Sequence, residues 1–148
     1  MQLTKHTDYA FRVLIYLASI PDDRLSTVQQ IAERFDMSRS HIMKVVHKLA
    51  SYGLIQASRG QSGGIKLGQP KEAINLRTVI ELMEATLSPV SCDSPICIIR
   101  KNCMLKNILC DAQRQFLAHV GQYTLADLVE PTRAMVQFFH QAKANGQA

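Results

Sequence analysis

No stretch of this 148-residue chain approaches the ~20 consecutive apolar residues that a membrane-crossing helix needs, so no membrane span is expected. A secretory leader is not expected either. In the opening MQLTKHTDYAFRVLIYL, Asp8 and Arg12 fall where a signal peptide would need its apolar core, which points to a cytoplasmic protein. Internal repeats and low-complexity tracts are missing, which leaves one compact unit or a small domain with an added arm. The five histidines, His6, His41, His47, His119 and His140, are scattered, and none has metalloenzyme spacing. No acid/base constellation or second redox group appears, so catalysis is not expected. The cysteines lack the tight Cys-x2-Cys knuckles usual in zinc sites.

The basic surplus is equally uneven. Residues 1–33 carry three lysines and arginines against four acids, and residues 72–148 carry seven of each. Between Arg34 and Lys71 stand seven bases and a single acid, Asp36, so the whole excess of positive charge lies in the middle of the chain. A solvated basic face would account for that composition alone. Its coincidence with a DNA-binding pattern favours a polyanionic partner.

That pattern is a run of helices ending in a hairpin. A first helix is predicted over 7–19 with Thr7 as its N-cap, and Pro21 stops it. Ser26 and Gln29 suggest a capping box for a second helix with Val28, Ile31, Ala32 and Phe35 inward. A tight turn at Asp36-Met37 leads to Ser38, the N-cap of a third helix over 39–52, which Gly53 ends. Two helices joined by so short a turn, the second one basic, form a helix-turn-helix. Strands at 54–58 and 65–67, with glycines between them, make a hairpin in the position of a wing. A fourth helix is expected over 76–85, capped by Asn75. An aperiodic loop over 87–102 follows, then a long helix from Cys103 to Val120 and a short one capped by Thr124 and Asp127. The stripe Leu105, Ile108, Leu109, Ala112, Phe116 and Val120 suits packing against a second copy, or else against the chain's own core. The fold expected is therefore mainly α with a small β-hairpin wing: a winged helix-turn-helix over 1–86, a cysteine loop over 87–103, and a dimerisation helix with a C-terminal segment over 104–148. Residues 142–148 read as a frayed tail.

The start of the third helix points backbone donors and a positive dipole end outward, which suits a phosphate. Ser38, Arg39, Ser40, His41 and Lys44 occupy the part that enters a major groove, with Arg39 the expected guanine reader. Lys48, one turn on, is placed for a phosphate. The wing tip Arg59-Gly60-Gln61-Ser62 can approach backbone phosphates closely, and Arg59 suits a narrow minor groove.

All four cysteines fall within 19 residues, a clustering that indicates metal or redox chemistry. Cys92, Cys97 and Cys103 offer three soft thiolates with a loose spacing that suits an iron–sulfur cluster better than zinc. Cys110 lies seven positions beyond Cys103, ~10.5 Å along one helix, too far to join the same cluster. It is expected to be a partly buried apolar residue.

The segments LTKHTDYAFRVLIYLA, SRSHIMKVVHKL, SRGQSGGIKLG and YTLADLVE, together with the three-cysteine loop, resemble the iron–sulfur winged-helix repressors typified by NsrR and IscR. The resemblance runs from Met1 to about Glu130. It implies a homodimer that binds a palindromic double-stranded operator when a cluster is present. TDYAF and YTLADLVE resemble the nitric-oxide-sensing NsrR branch most. That branch implies Cys92, Cys97 and Cys103 as ligands, with Asp8 of the partner subunit as the fourth, and a 4Fe–4S rather than a 2Fe–2S cluster. IscR-like members carry a histidine three residues after the last cysteine, where this chain has Lys106. Some relatives space the first two cysteines by five residues, and this chain spaces them by four. A hard carboxylate oxygen holds a cluster iron less firmly than thiolate and leaves it open to a small ligand. Alternatively, Asp8 serves only as a favourable first-turn acid. Regulators of iron or cluster supply, and a winged helix with structural zinc, are the competing functions.

Overall fold

The computed structural model describes residues 2–60 and 63–129. Helix α1, Lys5–Ser19, forms the centre because its apolar residues recur at helical spacing. Ala10, Val13, Leu14 and Leu17 are buried, and so is Thr7. The N-cap is Thr4 rather than Thr7: the Thr4 hydroxyl accepts the Thr7 backbone N–H, and the helix starts two residues before the sequence signal suggested. Thr7 looked like a cap because it is a threonine ahead of an apolar run; its side chain is instead used for a tertiary hydrogen bond described below.

Helix α2, Val28–Arg34, is likewise offset by one residue. Thr27 and Gln30 make the capping box, with both reciprocal hydrogen bonds present. Ser26 is buried and exchanges two backbone hydrogen bonds with Ile65, 3.0 and 2.7 Å. Helix α3, Arg39–Ser51, follows a turn in which Asp36 takes φ 51°, and the Met37 N–H closes on the Ala32 carbonyl at 2.8 Å. An aspartate tolerates that left-handed backbone better than most residues. Gly53, at φ 71°, ends α3 as expected.

Strands β1, Ile55–Ser58, and β2, Gly64–Leu67, pair antiparallel with Ile55 opposite Leu67 and Ser58 opposite Gly64. A Cβ on Gly64 would lie 2.8 Å from the Ser26 carbonyl, so this position must stay glycine for the hairpin to dock beside α2. A single 3-10 turn, Lys71–Ala73, leads into α4, Leu76–Met83, capped by the Asn75 side chain. Helix α5, Met104–Val120, and helix α6, Leu125–Val129, complete the described chain.

One core joins these parts. The α1 stripe meets Ile42, Val45, Val46 and Leu49 of α3, Val79 and Met83 of α4, and Leu125 of α6. Each such aliphatic side chain contributes about 1.5–3 kcal/mol when fully buried. α6 is anchored by the Leu125 N–H on the Ile74 carbonyl, and the end of α5 by the Asn75 amide on the Gly121 carbonyl, 2.8 Å each. Along α5 only Leu117 is buried; Met104, Leu105 and Ile108 are exposed, Ile108 by 56%. No helix among the described residues is long and apolar enough to cross a membrane. Residues 130–148, which include the expected tail, lie outside the described part.

Candidate nucleic-acid interface and cysteine centre

The turn between α2 and α3 sets the candidate DNA-binding face. Apolar positions of α3 point inward, which leaves Arg39, Ser40, His41 and Lys44 exposed along one side, with Ser38 at the N-cap. The Ser38 hydroxyl does not cap the helix; it pairs with the Ser40 hydroxyl at 2.8 Å. The first backbone N–H groups of α3 thus receive no side-chain cap and face outward, as an anion at a helix start requires. Arg59 and Gly60 follow β1 at the exposed wing tip, with Gly60 at φ 111°. Gln61 and Ser62 lie outside the described residues.

Charge confirms that this face is basic. The ion pairs among the described residues are Asp8–Arg12, Arg77–Glu81, Arg100–Asp93 and Arg114–Asp111, none of which engages Arg39, Lys44, Lys48 or Arg59. Lys48 is half-buried, and its ammonium donates to the Met83 carbonyl at 3.4 Å. It retains two further N–H donors.

A polar cluster of Glu84, Thr4, Thr7 and His6 that the sequence did not bring together lies behind this face. Glu84, the C-cap of α4, accepts hydrogen bonds from the Thr4 N–H at 2.8 Å, the Thr4 hydroxyl at 3.1 Å and the Thr7 hydroxyl. Burial alone would raise its pKa. The Thr7 and Thr4 hydrogen bonds and nearby Lys48 outweigh that and hold the carboxyl below its usual value. His6 is pushed below its ordinary value, first by burial and next by Lys48, with His41 and Lys44 adding and Glu84 opposing. No sequence signal joins residues 80 positions apart, so this cluster could be found only in three dimensions.

The cysteine loop follows directly. Cys92 and Cys97 are brought together by the Cys97 N–H on the Cys92 carbonyl at 3.0 Å, beside an antiparallel bridge between Asp93 and Ile96. Cys103 is the N-cap of α5, and its Sγ accepts the Lys106 N–H at 3.4 Å. All four cysteines are free thiols and half-buried. The donor set fits an iron–sulfur cluster in its chemistry: three soft sulfurs, one already receiving a backbone N–H as a cluster thiolate does. Among the described residues, no three ligands converge on one point within this chain. Asp8 sits on α1, 46% exposed, and its carboxylate is gripped by both Nε and Nη2 of Arg12, at 3.1 and 2.9 Å.

Residues 3–131 match the family model described as Rrf2, iron-dependent transcriptional regulator. Among solved structures, CymR, the global cysteine regulator of B. subtilis, is similar at 25% identity and TM-score 0.68, over 89% of this chain and 98% of that one. Staphylococcus aureus CymR is similar at 25% identity and TM-score 0.71, covering 88% and 100%. T. potens IscR, at 20% identity and TM-score 0.70 over 86% and 85%, shares the fold. The members of this family are transcriptional regulators and not enzymes. With its winged-helix fold and a family match over residues 3–131, the chain belongs to the Rrf2 family of DNA-binding transcriptional regulators.

Proposed function

We propose that this regulator is a homodimeric repressor that senses nitric oxide through an iron–sulfur cluster. Cys92, Cys97 and Cys103 would hold the cluster, with Asp8 of the partner subunit as the fourth ligand. The observation that carries the reading is the placement of three half-buried thiols on one loop, two joined by a backbone hydrogen bond and the third capping α5. When bound, the cluster supplies iron that nitric oxide can attack.

This chain's residues supply the rest. Arg39, Ser40, His41 and Lys44 would meet base edges and phosphates in the major groove, and Arg59 to Ser62 would meet the backbone beside it. The exposed apolar side chains of α5, Met104, Leu105 and Ile108, support a contact with a second copy, and two half-sites of a palindrome require two reading heads. Lys48 and Glu84 tie the end of α4, which leads into the cysteine loop, to α3 and to the start of α1. A change in the loop therefore reaches both the reading helix and the helix that carries Asp8.

A second reading is favoured by the CymR structures, since one of them is a cysteine regulator. In that reading the chain would respond to a small sulfur metabolite without a cluster. Anaerobic purification with iron and sulfide analysis and an absorption spectrum separates the two. Iron and sulfide in equal amounts, lost on nitric oxide addition together with operator binding, is the result expected. A chain without iron that binds DNA as tightly overturns the cluster reading.

A further inference from the structure

Between its first two cysteines the loop folds back on itself. Asp93 and Ile96 pair across the turn, and Cys92 and Cys97 are the next residues outward, joined by the 3.0 Å hydrogen bond. Arg100 straps the turn from one side, with its guanidinium on Asp93 at 2.8 Å and its backbone N–H on the Cys97 carbonyl at 3.2 Å. Residues that face each other in antiparallel backbone have Cα atoms about 4.5–5.5 Å apart. A disulfide accepts about 4.4–6.8 Å. The flanking Ile96 and Ile98 are exposed, Ile98 by 96%, so a small molecule can reach the turn.

The other two thiols are held differently. Cys103 is fixed at the start of α5 by the Lys106 N–H, and Cys110 lies farther along that helix. Neither shares a backbone hydrogen bond with Cys92 or Cys97.

We propose that Cys92 and Cys97 form a redox modification site, which in the cluster-free chain closes to a disulfide by exchange with the disulfide of a small thiol. One cysteine thiolate attacks the small disulfide and releases the first small thiolate. The second cysteine then attacks the mixed disulfide, forms the Cys92–Cys97 bond and releases the other small thiolate. Two electrons pass to the small disulfide, and the two cysteine protons end on the released thiols. Two of the three proposed ligands are then blocked, a consequence that rests on the cluster reading above.

The test uses the full-length cluster-free protein, incubated anaerobically with oxidised glutathione, alkylated and digested with trypsin. Cys92 and Cys97 fall on one peptide, 78–100, whereas Cys103 and Cys110 fall on the separate peptides 102–106 and 107–114. The expected product is peptide 78–100 lighter by two hydrogens and not alkylated, with Cys103 and Cys110 alkylated. A link from 78–100 to either other peptide, or cysteines that remain alkylated throughout, overturns the proposal. Cluster reconstitution gives a second readout. The oxidised chain should take up no iron until dithiothreitol is added, and equal uptake by oxidised and reduced chains refutes the blockade. A reduced chain that takes up no iron overturns the cluster reading alone, and the peptide mass still decides the disulfide.

Discussion

Glu84 and Thr7 lie 77 positions apart, yet the Thr7 hydroxyl donates to the Glu84 carboxylate and closes the end of α4 onto the start of α1. Thr4 adds two further hydrogen bonds to the same oxygen. Met83, next to Glu84, accepts the ammonium of Lys48 from the reading helix. The segment leading into the cysteine loop is thus held at the junction of α1, α3 and α4.

Replacing that carboxylate should therefore cost stability in a pH-dependent way. Glu84→Gln should destabilise the fold by about 1–2 kcal/mol at pH 7, toward the low end for charged hydrogen bonds because the site is partly solvated. The folded pKa is lowered, so the contribution is complete above the unfolded value of about 4.3 and is lost as pH falls through the folded value. Urea unfolding of both proteins at pH 7 and below pH 4 measures this. A difference that does not shrink in acid would show that the carboxylate charge is not what counts.

The reading face gives a second prediction. Arg39→Ala should weaken operator binding by about 1–3 kcal/mol and relax specificity at one base position. Arg59→Ala should weaken binding most at operators with A/T-rich, narrow minor grooves beneath the wing. Titrations against operator variants distinguish the two. Equal losses on every sequence would reduce both arginines to phosphate contacts.

Elements with local signatures were legible in the sequence, and those set by distant partners were not. Ser38, Gly53 and Asn75 are determined by their own backbone, and all three stand at the ends they were expected to mark. Thr7 and Ser26 carry good cap side chains, but each residue is held by a distant partner. The Thr7 hydroxyl serves Glu84, and the Ser26 backbone pairs with Ile65 of the wing while its hydroxyl donates to Gln30, so the caps fall to Thr4 and Thr27. The exposed positions of the helix-turn-helix follow from helical period. The Lys48–Met83 bond depends on how α3 and α4 meet, which no local pattern encodes.

The exposed face of α5 leads to a third prediction. Ile108→Glu should give a monomer, because a charge placed in an apolar contact is left desolvated and unpaired. Operator binding should fall sharply with it, since one head alone loses the gain from two linked half-sites. The fold should survive, as Ile108 is exposed in the single chain. Sedimentation showing an unchanged dimer would relocate the interface.

Serine variants of the cysteines give a fourth. Cys92→Ser, Cys97→Ser and Cys103→Ser should each fail to retain iron after anaerobic reconstitution, and Cys110→Ser should retain it. Cys110 lies on the body of α5, away from the loop that carries the other three. Loss of iron from the Cys110 variant, with retention in one of the others, would overturn the ligand set.

The last prediction concerns Asp8. Its carboxylate forms an exposed i,i+4 pair with Arg12, and such pairs contribute only about 0.3–0.5 kcal/mol. If that pair were the whole role of Asp8, Asp8→Ala and Arg12→Ala would each lower stability slightly and leave the response to nitric oxide alone. If Asp8 ligates iron across the dimer, Asp8→Ala should keep the fold, retain iron less firmly and uncouple DNA release from nitric oxide. Coupling is reciprocal, so operator DNA should make iron in the wild-type protein harder to remove with nitric oxide, by the same factor by which the iron-loaded state tightens DNA binding. That protection should disappear in Asp8→Ala, because the link between the cysteine loop and the other subunit's α1 is gone. Iron release measured with and without operator, in wild type, Asp8→Ala and Arg12→Ala, decides the matter. A variant of Asp8 that keeps both its iron and its DNA-dependent protection leaves the ion pair with Arg12 as the only role for Asp8.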